Sequence, residues 1–211
     1  MKMSVYRSLF LLVAFCATFA SCNLEMAGPD AKPVNPGTPT PGTPPAGSAK
    51  VRGTWNYLGV TLKSTSSSSA EGITATLYTD YTTSDNKGVF VFDGKNVIIT
   101  GLGYTMNGTM RTVMTGPGVP PTDMTIPIGV TLPPYNANSP YQEINETTIY
   151  LEKGFIEDPS GLGGTETLGG EAKLAFDGDN MTMTIDLSKV AVPVPGSTVS
   201  GSLVAKFTRK K

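Results

Sequence analysis

Beyond residue 50 the chain is written largely in a period of two. Met181, Met183, Ile185 and Leu187 fall on one side of a strand, and Thr182, Thr184, Asp186 and Ser188 on the other. Val199, Leu203, Ala205 and Phe207 are set against Ser200, Ser202, Lys206 and Thr208, with Gly201 on the apolar side and Val204 interrupting the polar one. Ile73, Ala75 and Leu77 oppose Thr74, Thr76 and Tyr78. One apolar and one polar face at this spacing predicts half-buried antiparallel strands. Val89–Phe92 is apolar at every position, which predicts a strand covered on both faces. No long stretch carries a 3.6-residue period, so the domain reads as all-β.

Turn residues punctuate these strands. Asp93-Gly94 and Asp177-Gly178 lie between apolar runs, and Asn107-Gly108 is a third hairpin candidate. Phe92-Asp93-Gly94-Lys95-Asn96-Val97 echoes Phe176-Asp177-Gly178-Asp179-Asn180-Met181, which is one hairpin chemistry used twice. Two stretches read as irregular. Gly116 to Tyr141 is rich in proline; Met124 to Leu132 within it reads as a strand that Pro127 would confine to a sheet edge. Gly154 to Gly170 is rich in glycine, and long connections of this kind serve as functional rims or as plain exposed loops.

The N-terminal region follows different rules. Lys2 and Arg7 precede an apolar run from Leu9 to Ala20, shorter than the roughly 20 residues of a membrane-spanning helix. The run ends in Phe19-Ala20-Ser21-Cys22, which resembles the lipobox of bacterial lipoproteins, with Phe19 where leucine is usual. That resemblance implies a signal peptide over 1–21 and lipidation of Cys22. It also implies outer-membrane sorting, since Asn23 rather than aspartate follows the cysteine; membrane face stays open. Several acyl chains on one cysteine give stable anchoring, because each buried methylene contributes about 0.8 kcal/mol. Residues 22–49 then form a Pro/Gly/Thr-rich tether without apolar periodicity, and 50–211 form one domain.

Composition narrows the chemistry. The chain of 211 residues has a net charge of −1 and no basic cluster except Arg209-Lys210-Lys211, which argues against nucleic acid as a partner. Its two cysteines are Cys16, in the apolar run, and Cys22. A processed chain would therefore hold no free thiol for a disulfide, for thiolate catalysis or for a metal. Histidine is absent, which removes the commonest general base and most transition-metal sites. Glu143, Glu146, Glu152, Glu157, Asp158, Glu166 and Glu171 are scattered, and their spacing singles out no catalytic pair; they read as a solvated rim. Asp177-Gly178-Asp179-Asn180 lacks the later bidentate acid of a calcium loop. No metal, cofactor or catalytic residue is expected.

Gly53-Thr54-Trp55 at the start of the domain resembles the G-x-W first strand of lipocalin-like and fatty-acid-binding-like proteins. With the lipobox and tether, the layout is similar to that of small lipocalin-like lipoproteins of the Bacteroidota. The resemblance implies an antiparallel β-barrel, with a β-sandwich as the alternative. It further implies that a basic residue of the last strand closes the barrel over Trp55: Arg209 first, Lys206 second. Function is then expected to be non-catalytic binding of a small apolar or amphipathic ligand in the barrel interior. Met106, Met110, Met181 and Met183 are candidate lining residues, because methionine adapts to irregular apolar shapes. The alternative is a structural or interaction lipoprotein serving adhesion or an outer-membrane protein partner.

Overall fold

The computed structural model describes residues 50–152, 169–190 and 196–211. Cys22, the signal peptide, the tether and nearly all of the Gly154–Gly170 stretch lie outside the described residues. Eight strands run antiparallel in chain order: β1 Gly53–Ala70, β2 Ile73–Phe92, β3 Asn96–Gly116, β4 Val119–Asn145, β5 Thr148–Leu151, β6 Gly170–Asp177, β7 Asn180–Asp186 and β8 Ser197–Arg209. Each pairs with the next, and β8 returns to β1, so the sheet closes into an up-and-down barrel. The alternative β-sandwich is thereby excluded.

The strands are very unequal. β1 to β4 are 18, 20, 21 and 27 residues long, whereas β5 to β7 are 4, 8 and 7. Closure is possible only where all eight are present. Above that level β8, β1, β2, β3 and β4 continue as a five-stranded wall. Between barrel and wall runs a belt of register shifts, at Asn56/Thr61, Ser84/Lys87, Lys87/Val89 and Ile99/Leu102. Bulges of this kind bend a sheet enough to close it. Side chains satisfy the backbone groups they release. Thr83 Oγ1 accepts from Val60 N at 2.9 Å, and Asn136 Oδ1 accepts from Gly101 N at 2.8 Å.

The lower end is a packed, plugged core. Trp55, Phe90, Phe92, Tyr104 and Phe207 are fully buried, and Tyr57 nearly so. Tyr57 meets Phe90, Tyr104 and Phe207 with ring centroids 5.8, 6.1 and 6.0 Å apart, and Phe90 meets Phe207 edge-on at 5.0 Å. Aromatic pairs at these separations add roughly 0.5–1.5 kcal/mol each beyond area burial. The guanidinium of Arg209 lies over the Trp55 ring, 4.2 Å from its centroid, and donates to Arg52 O at 3.2 Å and Lys50 O at 2.7 Å. The indole N–H donates to Val51 O at 2.8 Å. This contact explains the glycine of G-x-W. Gly53 sits at φ +123°, and a Cβ there would come within 2.8 Å of Arg209 Nη1. Lys206 is exposed and faces outward between Gly59 and Thr182.

A second seal corrects the reading of Glu143 as part of a solvated rim. Its side chain is only 2% exposed and accepts two hydrogen bonds from Arg52, at 2.9 and 3.0 Å. Tyr141 Oη donates to it at 3.1 Å and accepts from Gly94 N at the same distance. The carboxylate thus ties the chain entering β1 to the β2–β3 hairpin.

The Asp93 and Asp177 hairpins form where expected, both at the lower end. Asp93 Oδ1 accepts from Lys95 N and Asn96 N at 2.7 Å, which holds its carboxyl below the usual carboxylate range. Asn107-Gly108 is not a turn. It lies inside β3, where Gly108 stands opposite Tyr81 and any Cβ would run into the backbone of Asp80 and Tyr81. The β3–β4 turn is at Pro117-Gly118 instead. The proline-rich stretch also proves regular, since most of it belongs to β4. From Val119 to Pro140 that strand pairs only with β3 among the described residues, so its prolines stand at a sheet edge. Val89–Phe92 is covered fully on one face only: Phe90 and Phe92 are buried, Val89 and Val91 half-buried.

Candidate ligand-binding face

Register defines the two faces of the wall. Residues directly opposite on neighbouring strands share a face, and alternate residues along a strand return to it. Leu203, Leu62, Tyr81, Gly108 and Ile128 form one such row. Leu62, Leu203 and Ile128 pack against the buried core and Tyr81 belongs to it, so this row marks the rim of the barrel interior. The next row inward-facing is Gly201, Ser64, Thr79, Met110 and Ile126; above it come Val199, Ser66, Leu77, Thr112 and Met124. A fourth row holds Ser197, Ser68, Ala75, Met114 and Thr122. The inner face of the barrel therefore continues upward with no strand opposite it among the described residues. Met124, Ile126 and Val130 are about 40% exposed there.

The outer face has another character. Lys63 pairs with Asp80 at 3.0 Å, directly across β1–β2. Arg111 holds Asp123 through two hydrogen bonds of 2.8 and 2.6 Å and lies 5.5 Å over the Tyr78 ring. That pairing lowers the Asp123 carboxyl and raises the Arg111 guanidinium. Hydroxyls on this face bond to one another across strands: Ser67 to Thr76 at 3.0 Å, Ser69 to Thr74 at 2.9 Å, Thr105 to Thr131 at 3.0 Å. A cleft of about 440 Å³ lined by Lys63, Tyr78, Asp80, Arg111 and Thr125 belongs to this side. Its charges are already mutually paired.

The four methionines separate. Met106, Met181 and Met183 are buried in the barrel core, at 2%, 1% and 0% exposure, where they fill space rather than line an open surface. Met110 alone reaches the wall, beside Met114 and Met124, which sequence reasoning did not single out. The expectation of a ligand inside the closed barrel meets a similar correction, because the lower interior is occupied by the aromatic cluster. Within the aromatic cluster, burial pushes the Tyr57 and Tyr104 phenols well above their ordinary value, with Tyr81 and Tyr135 adding to the effect. Tyr104 Oη is buried beside Tyr135.

Among the described residues no three acidic side chains come together as a metal-ligating set. What the wall offers is apolar area edged by hydroxyls. Comparison with known proteins finds no matching family model, no similar curated protein and no similar solved structure.

Proposed function

We propose that this protein is a non-catalytic lipoprotein of the outer membrane, held there by lipid on Cys22, whose β-domain binds a small apolar or amphipathic molecule. The observation that supports binding is the continuation of the barrel's inner face beyond β5 to β7, unopposed among the described residues, with Met110, Met114, Met124, Ile126 and Ile128 on its β3–β4 side. The ligand lies on this upper face rather than in the plugged lower end. Scale favours a small molecule over a protein. Four rows on five strands span roughly 20 Å by 20 Å, about 400 Å². A standard protein interface needs about 800 Å² per partner.

Two measurements test the reading. Cys22→Ala is expected to abolish incorporation of labelled palmitate and to remove the protein from the membrane fraction. Organic extraction of the purified protein is expected to yield a stoichiometric small molecule that an Ile126→Asp variant lacks. Equal lipid content in both proteins, or none in either, sinks the binding proposal. A second reading, an interaction module, draws support from the exposure of Met124, Ile126 and Val130 on an edge strand. It predicts a specific crosslinked protein adduct at β4 and no extracted ligand.

A further inference from the structure

Charge is divided between the two faces of the wall with no exceptions in the register. Lys63, Asp80, Arg111 and Asp123 all occupy outer rows. The four inner rows, from Leu203–Leu62–Tyr81–Gly108–Ile128 upward, contain no ionisable side chain except the tyrosine at their base. Hydroxyls are divided in a second way. Outer serines and threonines hydrogen-bond to one another across strands. Inner Ser64, Ser66, Thr79 and Thr112 are half-buried, and their hydroxyls make no hydrogen bond to another described residue. The inner face is also uneven in character. Above the basal row its β8–β1 side carries Ser64, Ser66, Ser68, Ser197 and Gly201 with Val199 as the one larger apolar residue, whereas Met110, Met114, Met124 and Ile126 stand on its β3–β4 side beside Thr112 and Thr122.

Resting on the proposed binding role, we infer that the wall selects an uncharged amphipath: a hydrocarbon body laid along Met110, Met124, Ile126 and Ile128, with a hydroxyl or carbonyl oxygen turned to Ser64, Ser66 and Thr79. The physical reason is one of omission and supply. An ionised carboxylate or phosphate brought onto this face loses water and finds no lysine or arginine in its four described rows, which is costly. A neutral oxygen finds serine and threonine hydroxyls that can donate or accept and are not already engaged. The described cations and anions of the wall are turned the other way and pair with each other, Lys63 with Asp80 and Arg111 with Asp123.

Photolabelling tests this on the whole processed chain in phosphatidylcholine vesicles. The probes are a diazirine-bearing sixteen-carbon alcohol and the matching fatty acid, at a pH where the acid is ionised. Labelling of β3–β4 peptides by the alcohol, competed by unlabelled hexadecanol, is expected to exceed that by the acid by about tenfold or more. Ser64→Lys places a cation on the inner face and is expected to reverse the preference; Ser66→Lys serves as a second variant should the first fail to fold. Equal labelling by both probes, or an acid preference in the unaltered chain, overturns the inference while leaving a ligand-binding wall in place. Absence of wall labelling by either probe removes the binding role itself.

Discussion

The same five strands build two unlike regions. In the lower half their inward residues are large and pack against residues of other strands: Trp55 under Arg209 and against Phe176 of β6, Phe90 against Phe207, Phe92 against Tyr141 at 5.5 Å. Higher up, beyond the row of Leu62, Leu203 and Ile128, the inward residues have no strand opposite them among the described residues, because β5, β6 and β7 have ended. Strand length decides which face of a sheet becomes core and which becomes surface. The apolar alternation is similar in both halves of β3 and β4, so alternation by itself does not reveal whether a face has a partner.

Perturbation at the closed end should be felt as stability. Trp55→Ala removes the largest buried side chain and the ring beneath Arg209, and is expected to cost about 3–5 kcal/mol by urea denaturation. Alkali should act on the same end. Burial holds the Tyr57, Tyr104 and Tyr141 phenols above the ordinary tyrosine value of 10.0. As pH rises past that value, the unfolded chain loses protons that the folded barrel retains. Stability is therefore full below about pH 10 and declines above it. Tyrosinate absorbance from these residues should appear together with loss of near-UV circular dichroism; ionisation well before unfolding would contradict their burial.

Glu143→Gln probes the second seal. It keeps the shape of the side chain but removes the charge that Arg52 grips, so a loss of about 1–3 kcal/mol is expected in the same denaturation experiment. The wall should respond least. Ile126→Ser alters an open surface and is expected to change stability by no more than about 0.5 kcal/mol. A loss as large as that of Trp55→Ala would mean that the upper face is covered in the folded protein, and would erase the contrast between the two halves.

Much of this architecture is legible in the sequence, and the failures have physical causes. Alternation in Met181–Ile185 and Val199–Phe207 identified strands with the correct inward side, though the first run stops at Asp186, whose side chain caps a 3-10 turn over Leu187–Lys189, and the Asp-Gly dipeptides located two turns. The closure at Gly53, Trp55 and Arg209 was legible only through the resemblance to a G-x-W first strand; the structure supplies its physical reason, a guanidinium over the ring and no room for a Cβ at Gly53. The upper half of β1 left no such trace. Its run Ser66-Ser67-Ser68-Ser69 has no apolar member, so nothing in it distinguishes inside from outside. β4 was obscured by its prolines, which are compatible with a strand that pairs on one side only. Asn107-Gly108 misled because a glycine needed for close strand approach looks, in a sequence, like one needed for a turn. Glu143 carried no signal at all, since its partner Arg52 lies 91 residues away.

The prolines of β4 have a consequence for how copies of this molecule behave in a crowd. A bare strand of more than twenty residues is ordinarily a template on which further chains assemble. Here Pro120, Pro121, Pro127, Pro133, Pro134 and Pro140 interrupt the series of backbone donors along it. A neighbour attempting to zip onto this edge would find a gap in the ladder at every few residues. The long edge that β4 leaves unpaired among the described residues is therefore a poor template for strand-to-strand assembly.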